Sequence, residues 1–320
     1  MKQIRRLFLA SITLASGIFA YQIQNFGSLA SQKLFGSLVI PQGGQESTIP
    51  GSGRGGRGAG GARGGGGRRD SQSVRSDYPQ WVIEPAFVKD VFTFVRVEFR
   101  SGSQGFGGGF GRGGGWRNDY PDCDWNFSSR LQQLTTFKVD PNGKTLKLTE
   151  PELFDFPFIF MTNMGDINLD AAEQQALRKY LLHGGFMMAD DFWAAREWQH
   201  IREEMRQVFP DREPVELSLD HEIFHVVYDL VKLPQVPSIL AWQRGMTYED
   251  WHGAFDNGDT SPHFWGYFDD DKRLVGLFCH NNDVADGWER EGEDIEYFQE
   301  YSLKCSYPFG VNIITYAMTH

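Results

Sequence analysis

Three apolar segments of this chain each run into residues that carry amide, hydroxyl, carboxylate or imidazole groups. These residues are Thr162 and Asn163, Asp190 and Asp191, and the run His280, Asn281, Asn282 and Asp283. If the segments are parallel strands, their carboxyl ends meet at one edge of a sheet, which is where open α/β sheets bind ligands. We therefore expect these side chains to converge on one site.

The segment DHEIFHVVYDL supplies one further candidate. His221 and His225 are four residues apart, so in a helix they would share one face. We expect that face to cover the site and to place His221 within reach of a bound ligand.

This set of side chains suits two kinds of ligand. Carboxylates, imidazole and amide oxygens can hold a divalent cation, and Asp190, Asp191 and His280 are then the expected metal ligands. The same groups can accept hydrogen bonds from the hydroxyls of a sugar. Asp and Asn also cap helices and form turns, so a purely structural role stays open. No residue is assigned a catalytic role.

The elements that would position these residues alternate between strand and helix. Phe156 to Thr162 is almost continuously apolar, as in a strand covered on both faces, and Phe186 to Ala189 is a second such segment. Between them, Asp170 and Glu173 form a capping-box pattern that begins a helix from about Ala171 to His183. A second amphipathic helix is expected from Glu197 to Phe209. This alternation predicts an α/β fold with a doubly wound, mostly parallel sheet and helices on both faces.

Five further elements complete the predicted domain. They are a strand at Val91 to Phe99, a helix at Trp125 to Leu134, an edge strand at Lys144 to Leu148, a strand at Leu274 to Cys279 and a helix at Gly310 to Thr319. The stretch from Trp242 to Tyr267 is too polar and irregular for a core, and we interpret it as a lid or a partner surface.

The chain divides into three parts. Residues 1–30 combine a basic flank with a charge-free run from Leu7 to Ala20, which predicts a signal peptide or an N-terminal membrane anchor. Residues 31–77 are expected to be a disordered Gly/Arg-rich linker. Residues 78–320 should form a single α/β domain with a Gly-rich loop at 102–115. The domain is thus expected outside the cytoplasm, either periplasmic or tethered to a membrane.

The distribution of charge argues against specific nucleic-acid binding. Residues 1–75 contain ten Lys or Arg and two Asp or Glu, whereas residues 76–320 contain 21 basic and 40 acidic residues. An acidic domain repels a polyanion. The Arg-Gly tract at 51–69 can contact RNA phosphates, but the export signal favours a tether.

Three cysteines, Cys123, Cys279 and Cys305, do not form a metal-binding pattern. Two of them can pair in an oxidising compartment, but a chain of 320 residues can fold without a disulfide. The simpler interpretation is that they are small buried apolar side chains.

Several sequence blocks resemble the bacterial family catalogued as domain of unknown function 4159. The blocks are FTFVRVEF ending at Phe99, WRNDYP from Trp116, PFIFMTNMG from Pro157, LRKYLLHGGFMMADD from Leu177, DHEIFHVVYDL from Asp220, HNNDVADGWE from His280 and GVNIITYAMTH from Gly310. The resemblance implies a flavodoxin-like fold similar to the class I glutamine-amidotransferase group. Those enzymes place a nucleophilic Cys on a strand-to-helix elbow. Here Asp190, Asp191 and Phe192 follow the strand instead, which argues against glutamine amidotransferase activity.

Two functions remain open from the sequence. The first is an exported or membrane-tethered binding or accessory module that uses the polar sheet edge to hold a small polar ligand or another exported or membrane protein. The alternative is a hydrolase acting on a carbohydrate or peptide derivative, with Asp190 or Asp191 and His280 as metal ligands or acid/base groups. The only cofactor that the residues suggest is a divalent cation.

Overall fold

A computed structural model describes residues 75–87, 90–101, 115–249 and 258–320. The predicted signal or anchor at 1–30, the linker up to residue 74 and the loop at 102–114 lie outside the described residues. So do residues 250–257, which belong to the predicted lid. Among the helices that are described, we found none with both the length and the apolarity needed to cross a bilayer.

The domain is built on a seven-stranded sheet in the order β2-β1-β3-β4-β7-β6-β5. The strands are β1 (Val95–Glu98), β2 (Lys144–Lys147), β3 (Phe158–Thr162), β4 (Phe186–Phe192), β5 (Val215–Glu216), β6 (His263–Phe268) and β7 (Leu274–His280). Strands β2, β1, β3, β4 and β7 pair in parallel, whereas β6 runs antiparallel to β7 and to β5. The α/β fold class with a mostly parallel sheet is therefore confirmed.

Helices cover both faces of the sheet. The α-helices are α1 (Asp122–Leu134), α2 (Ala171–Leu182), α3 (Ala194–Val208), α4 (Ile239–Gln243), α5 (Asp286–Glu289), α6 (Ile295–Tyr297) and α7 (Tyr307–Thr319), with a π-helix at Phe298–Ser306 between the last two. Helices α1 and α7 share one core with the side chains of Phe94, Phe158 and Phe186. Helices α2 and α3 share a second core with Ile159 and Met187 on the other face. Burial on both faces explains why β3 is apolar up to Thr162 and why β4 is apolar up to Ala189.

Helix α2 shows how closely local signals set the framework. Asp170 accepts hydrogen bonds from the backbone N–H groups of Ala172 and Glu173, and Glu173 accepts one from the backbone of Asp170. Gly184 then adopts φ +109°, a conformation that a side chain would disfavour. The predicted capping box and glycine stop are both confirmed, and they fix where β4 begins.

The structure differs from the sequence prediction in three places. Strand β4 continues through Asp190 and Asp191 to Phe192, with a register irregularity between Ala189 and Phe192. The interpretation of 242–267 as a lid or partner surface is wrong for residues 263–267, which belong to the sheet strand β6. Burial alternates only in part along this strand, because Phe264, Gly266 and Tyr267 are buried whereas His263, Trp265 and Phe268 are half-buried.

The prediction for His221 and His225 is also wrong. A single 3-10 turn, Glu222–Phe224, lies between them, so His221 precedes the turn and His225 follows it. The His221 ring contacts Phe268 and Tyr316, at the opposite edge of the sheet from the carboxyl ends of the parallel strands. His225 is bound to Asp229 and to the Leu219 carbonyl. Neither imidazole covers the predicted site.

The cysteines are unpaired. Cys123 and Cys279 are buried, and Cys305 is half-buried. This confirms the simpler interpretation for the first two.

Candidate functional site

The carboxyl ends of β3 and β4 bring together four of the predicted residues. Thr162 and Asp190 are cross-strand partners, and each is fully buried. Asn163 and Asp191 follow them directly, and both adopt the left-handed conformation, with φ 54° and 52°. Because Asn and Asp tolerate this conformation better than most residues, these residue types suit the positions that they occupy.

Asp191 is the best-anchored side chain at this edge. Its Oδ2 accepts hydrogen bonds from the amides of Asn118 at 2.7 Å and Asn163 at 3.0 Å. Its Oδ1 accepts one from the indole of Trp193 at 3.0 Å. Three donors from three separate segments hold this carboxylate in one position, and Oδ1 keeps a second lone pair for another partner.

Three carboxylates meet at this point. One oxygen each from Asp119, Asp191 and Asp283 lies within 4.8 Å of the other two. We call these three residues the carboxylate cluster. Asp191 and Asp283 are 2% and 3% exposed, and Asp119 is 9% exposed. Asp191 and Asp283 were predicted site residues, whereas the sequence interpretation missed Asp119.

Burial and mutual repulsion dominate the electrostatics of the cluster. Burial raises the pKa of Asp119 well above its ordinary value, and the charges of Glu289 and Asp191 add to the effect. Burial likewise raises the pKa of Asp283, with further contributions from Asp191 and Asp119. The fully ionised form of the cluster is therefore disfavoured in the absence of a nearby positive charge.

A second acidic group shares Asp119 with the cluster but has an arginine beside it as a counter-charge. Oxygens of Asp119, Asp286 and Glu289 also lie within 4.8 Å of one another. The Arg290 guanidinium, however, lies 2.7 Å from Glu289 and 3.4 Å from Asp286. Burial still raises the pKa of Glu289, to about 8. Among the described residues, no such ion pair is formed by Asp191 or Asp283 on the other side of Asp119.

Three buried oxygen atoms near this edge have no hydrogen-bond partner within the described part of the chain. They are Oδ2 of Asp119, Oγ1 of Thr162 and Oδ1 of Asp190. The other Asp190 oxygen accepts a hydrogen bond from the Ala285 backbone at 2.8 Å, and burial raises the pKa of this carboxyl well above its ordinary value. Buried polar atoms normally have a partner, and exceptions often mark a bound ion or water.

Arg96 positions the loop that carries Asn118 and Asp119. This fully buried side chain in β1 forms an ion pair with Asp124 at 2.5 Å. It also donates hydrogen bonds to the backbone carbonyls of Trp116 and Asn118, both at 2.9 Å. A planar guanidinium can make all of these contacts at once, so Arg96 fixes the loop against the end of the sheet.

The three residues predicted as metal ligands do not come together. Only Asp191 belongs to the carboxylate cluster, and within the described residues His280 belongs to no group of three ligands that meets within 4.8 Å. His280 Nε2 lies 3.0 Å from the Ala194 carbonyl, and its ring stacks on Phe192 and His263. Burial lowers the pKa of His280 to about 4. The ring is therefore a neutral part of the core beside β4.

Asn281 and Asn282 have a structural role. The oxygen of Asn281 accepts from the Ala194 backbone, and its amide donates to the Ser261 carbonyl. Likewise, the oxygen of Asn282 accepts from the Val236 backbone, and its amide donates to the Pro234 carbonyl. Asp283 accepts from the backbone N–H of Asp286 and so stabilises the turn that leads into α5. The alternative of a structural role in turns thus holds for the two amides, whereas Asp283 combines a turn contact with membership of the cluster.

Unfavourable backbone conformations concentrate at the same edge. Asp119, Asn163, Asp191, Ala194 and Asn281 all have φ between 52° and 62°. Such conformations persist only where the surrounding structure enforces them, and they are enriched at functional sites. The geometry singles out this edge of the sheet.

Cys279 lies at the end of β7 but is poorly suited to nucleophilic chemistry. Burial raises the pKa of its thiol well above the ordinary value, with a further contribution from Asp190. A thiolate is the reactive form, so this environment suppresses reactivity. Cys279 packs in the core beneath α1 and α7, whereas His280 packs on Phe192 and Trp198 of the other core.

The sequence profile of one protein family, described as Domain of unknown function (DUF4159), matches residues 93–318. The chain belongs to this family, which confirms the resemblance drawn from its sequence blocks. No curated protein matches the chain.

Proposed function

We propose that this DUF4159 domain is a binding or accessory module, exported or tethered to a membrane, and that the carboxylate cluster is its binding site. The observation that carries the proposal is the arrangement of Asp191. Asn118, Asn163 and Trp193 fix this carboxylate while Asp119 and Asp283 approach it within 4.8 Å. A preorganised group of acceptors is what a specific binding site requires.

The strand order supports a flavodoxin-like fold. The five parallel strands follow the order β2-β1-β3-β4-β7, which matches the 2-1-3-4-5 order of flavodoxin-like proteins. In that architecture, ligands bind at the carboxyl edge where the strand order reverses, between β1 and β3. Here the loop after β1 carries Asn118 and Asp119, and Asn163 directly follows β3. The same order suits the glutamine-amidotransferase-like group, without its nucleophilic elbow.

The charge of the cluster indicates the class of ligand. The cluster places three carboxylates within 4.8 Å of one another and nearly out of contact with solvent, where negative charge is poorly screened. Such a site disfavours phosphates and carboxylates and favours a cation or a ligand rich in N–H and O–H donors. This is consistent with a small polar ligand.

The placement outside the cytoplasm is part of the same proposal. Lys2, Arg5 and Arg6 precede a charge-free apolar run, and the acidic domain follows a Gly/Arg-rich segment. A fusion of residues 1–30 to a reporter that is active only outside the cytoplasm should show activity. An inactive but intact fusion would contradict export.

The binding proposal can be tested by thermal melting of the full chain. The probes are calcium and magnesium chloride, monosaccharides, amino sugars and polyamines, with the organic probes also measured in the presence of EDTA. We expect at least one class to raise the melting temperature of the parent and to lose that effect in D191N. The control is D211N, which removes a carboxylate from an exposed ion pair with Arg178. No shift of the parent with any probe would contradict the proposal.

A further inference from the structure

We propose that Asp119, Asp191 and Asp283 together bind one hard divalent cation, and that they bind Ca²⁺ more tightly than Mg²⁺. This inference rests on the proposed function, because it names the ligand of the same site. It departs from the set Asp190, Asp191 and His280 that the sequence suggested.

The spacing of the oxygens fits a single ion. All three carboxylates offer oxygens within 4.8 Å of one another. Oxygen ligands lie 2.3–2.6 Å from Ca²⁺, so two oxygens on opposite sides of the ion are about 4.6–5.2 Å apart. Separations of up to 4.8 Å lie within the span of a Ca²⁺ ion. Three carboxylates on one ion also favour Ca²⁺, because Mg²⁺ usually keeps several waters and binds through one or two carboxylates.

The unpartnered oxygen of Asp119 gives independent support. Asp119 is 9% exposed, and its Oδ2 accepts no hydrogen bond from any residue that the structure describes. A buried carboxylate oxygen without a donor is costly. Because Asp119 lies next to two further carboxylates, repulsion adds to that cost. A divalent cation would satisfy the oxygen and offset the repulsion at the same time.

Arg290 decides which side of Asp119 the ion occupies. The group formed with Asp286 and Glu289 already has this guanidinium as its counter-charge. In addition, Oδ2 of Asp286 accepts hydrogen bonds from the Ile239 backbone and from the Tyr297 hydroxyl, both at 2.8 Å. The ion is therefore assigned to Asp191 and Asp283, with Asp119 shared between the two groups.

The position of Asp191 is set before any ion arrives. Asn118, Asn163 and Trp193 donate hydrogen bonds to its two oxygens, and no Lys, Arg or His among the described residues forms an ion pair with it. Arg96 supports this arrangement, because it donates hydrogen bonds to the backbone carbonyls of Trp116 and Asn118 and so holds Asn118 in place. A rigid, oxygen-only set of ligands is characteristic of calcium and magnesium sites.

The experiment is calcium and magnesium titration of the full chain after removal of metal with EDTA. Isothermal calorimetry should show one Ca²⁺ bound per chain, with weaker binding of Mg²⁺. At 100-fold excess over the dissociation constant, Ca²⁺ should raise the melting temperature by about 5–10 °C. We expect D119N and D283N to weaken Ca²⁺ binding on the order of 100-fold, because the number of charged ligands tunes calcium affinity. D211N should bind as the parent does.

Folding of the variants gives a second measurement. Without metal, D119N should melt at the same temperature as the metal-free parent or higher, because it removes one of three repelling charges. A metal-free D119N that melts lower while its Ca²⁺ affinity is unchanged would overturn the inference and give Asp119 a structural role. Failure of the parent to bind either cation would also overturn it. If an organic probe stabilises the parent in EDTA, the proposed function stands and only the cation inference falls.

Discussion

Asn163 donates its side-chain amide to Asp191 Oδ2 at 3.0 Å, and both residues adopt the left-handed backbone conformation, with φ 54° and 52°. Asn163 directly follows β3, whereas Asp191 lies within β4 at its register irregularity. Their conformations aim the two side chains at each other, and so link the ends of β3 and β4. The Asn163 oxygen also accepts from the Gly115 backbone at 3.1 Å, which brings the loop after β1 to the same point.

Two replacements of Asn163 should separate the contribution of its side-chain hydrogen bonds from that of its left-handed backbone conformation. In N163A, the hydrogen bonds to Asp191 and Gly115 are lost and Ala must adopt an unfavourable φ, so we expect unfolding to require about 2–4 kcal/mol less free energy. N163G loses the same bonds but accepts the conformation, and should be about 1 kcal/mol more stable than N163A. Urea denaturation of both variants measures the difference. An N163G variant less stable than N163A would contradict this account of the backbone.

Arg96 should matter far more than an exposed arginine nearby. R96M leaves Asp124 buried without its partner, which typically costs about 3–5 kcal/mol. R100A removes an ion pair with Asp170 and Glu173 in which the Arg100 side chain is 61% exposed, and should cost much less stability than R96M. Chemical denaturation compares the two variants. Equal losses would show that burial of the Arg96 pair has no special importance.

His280 should weaken the fold as the solution becomes acidic. Burial lowers its pKa from 6.5 to about 4, so the unfolded chain takes up a proton in this range before the folded chain does. Stability therefore falls as pH decreases from about 6.5 to 4, by up to about 3 kcal/mol from this residue. H280F keeps an aromatic ring against Phe192 and removes the titration. The stability of the parent relative to H280F should decrease over this interval, and a constant difference would refute the assignment.

His263 should act in the opposite direction. Burial lowers its pKa, but the hydrogen bonds that its ring nitrogens donate to Glu216 at 2.6 Å and to Asp259 at 2.9 Å outweigh that effect, and the pKa is raised overall. Its stabilising contribution is complete below the unfolded value of about 6.5 and is lost as pH rises through the folded value. H263Q should therefore be destabilised relative to the parent at pH 6 and less so at pH 9. Both carboxylates are partly exposed, so the difference should shrink in high salt. A larger difference at pH 9 than at pH 6 would contradict this assignment.

The sequence predicted the framework well because its signals are local. The apolar run that became β3 and the capping box at Asp170 need no knowledge of distant residues. Strands β5 and β6 were missed because they lack a clear local signal. Strand β5 has only two residues, and β6 mixes buried and half-buried positions.

The site was only partly predictable. Asp191 and Asp283 were identified because they follow apolar strands, whereas Asp119 lies in a loop whose partners come from distant parts of the chain. No motif or spacing in the sequence predicts that Asp119 lies close to Asp191 and Asp283. His280 was included because it ends a strand, but its side chain packs into the core beside β4 with Phe192 and Trp198. The position of a residue at the end of a strand was enough to predict which edge of the sheet it occupies. The direction of its side chain depended on contacts with distant parts of the chain.

Anomalous X-ray diffraction from crystals of the protein grown with Mn²⁺ tests the central claim most directly. Manganese accepts the same carboxylate ligands as calcium and magnesium and can be located by its own scattering. We predict one strong peak within about 2.0–2.6 Å of oxygens from Asp119, Asp191 and Asp283. Crystals without a peak at these residues, or with a peak bound to Asp286 and Glu289 instead, would contradict the claim.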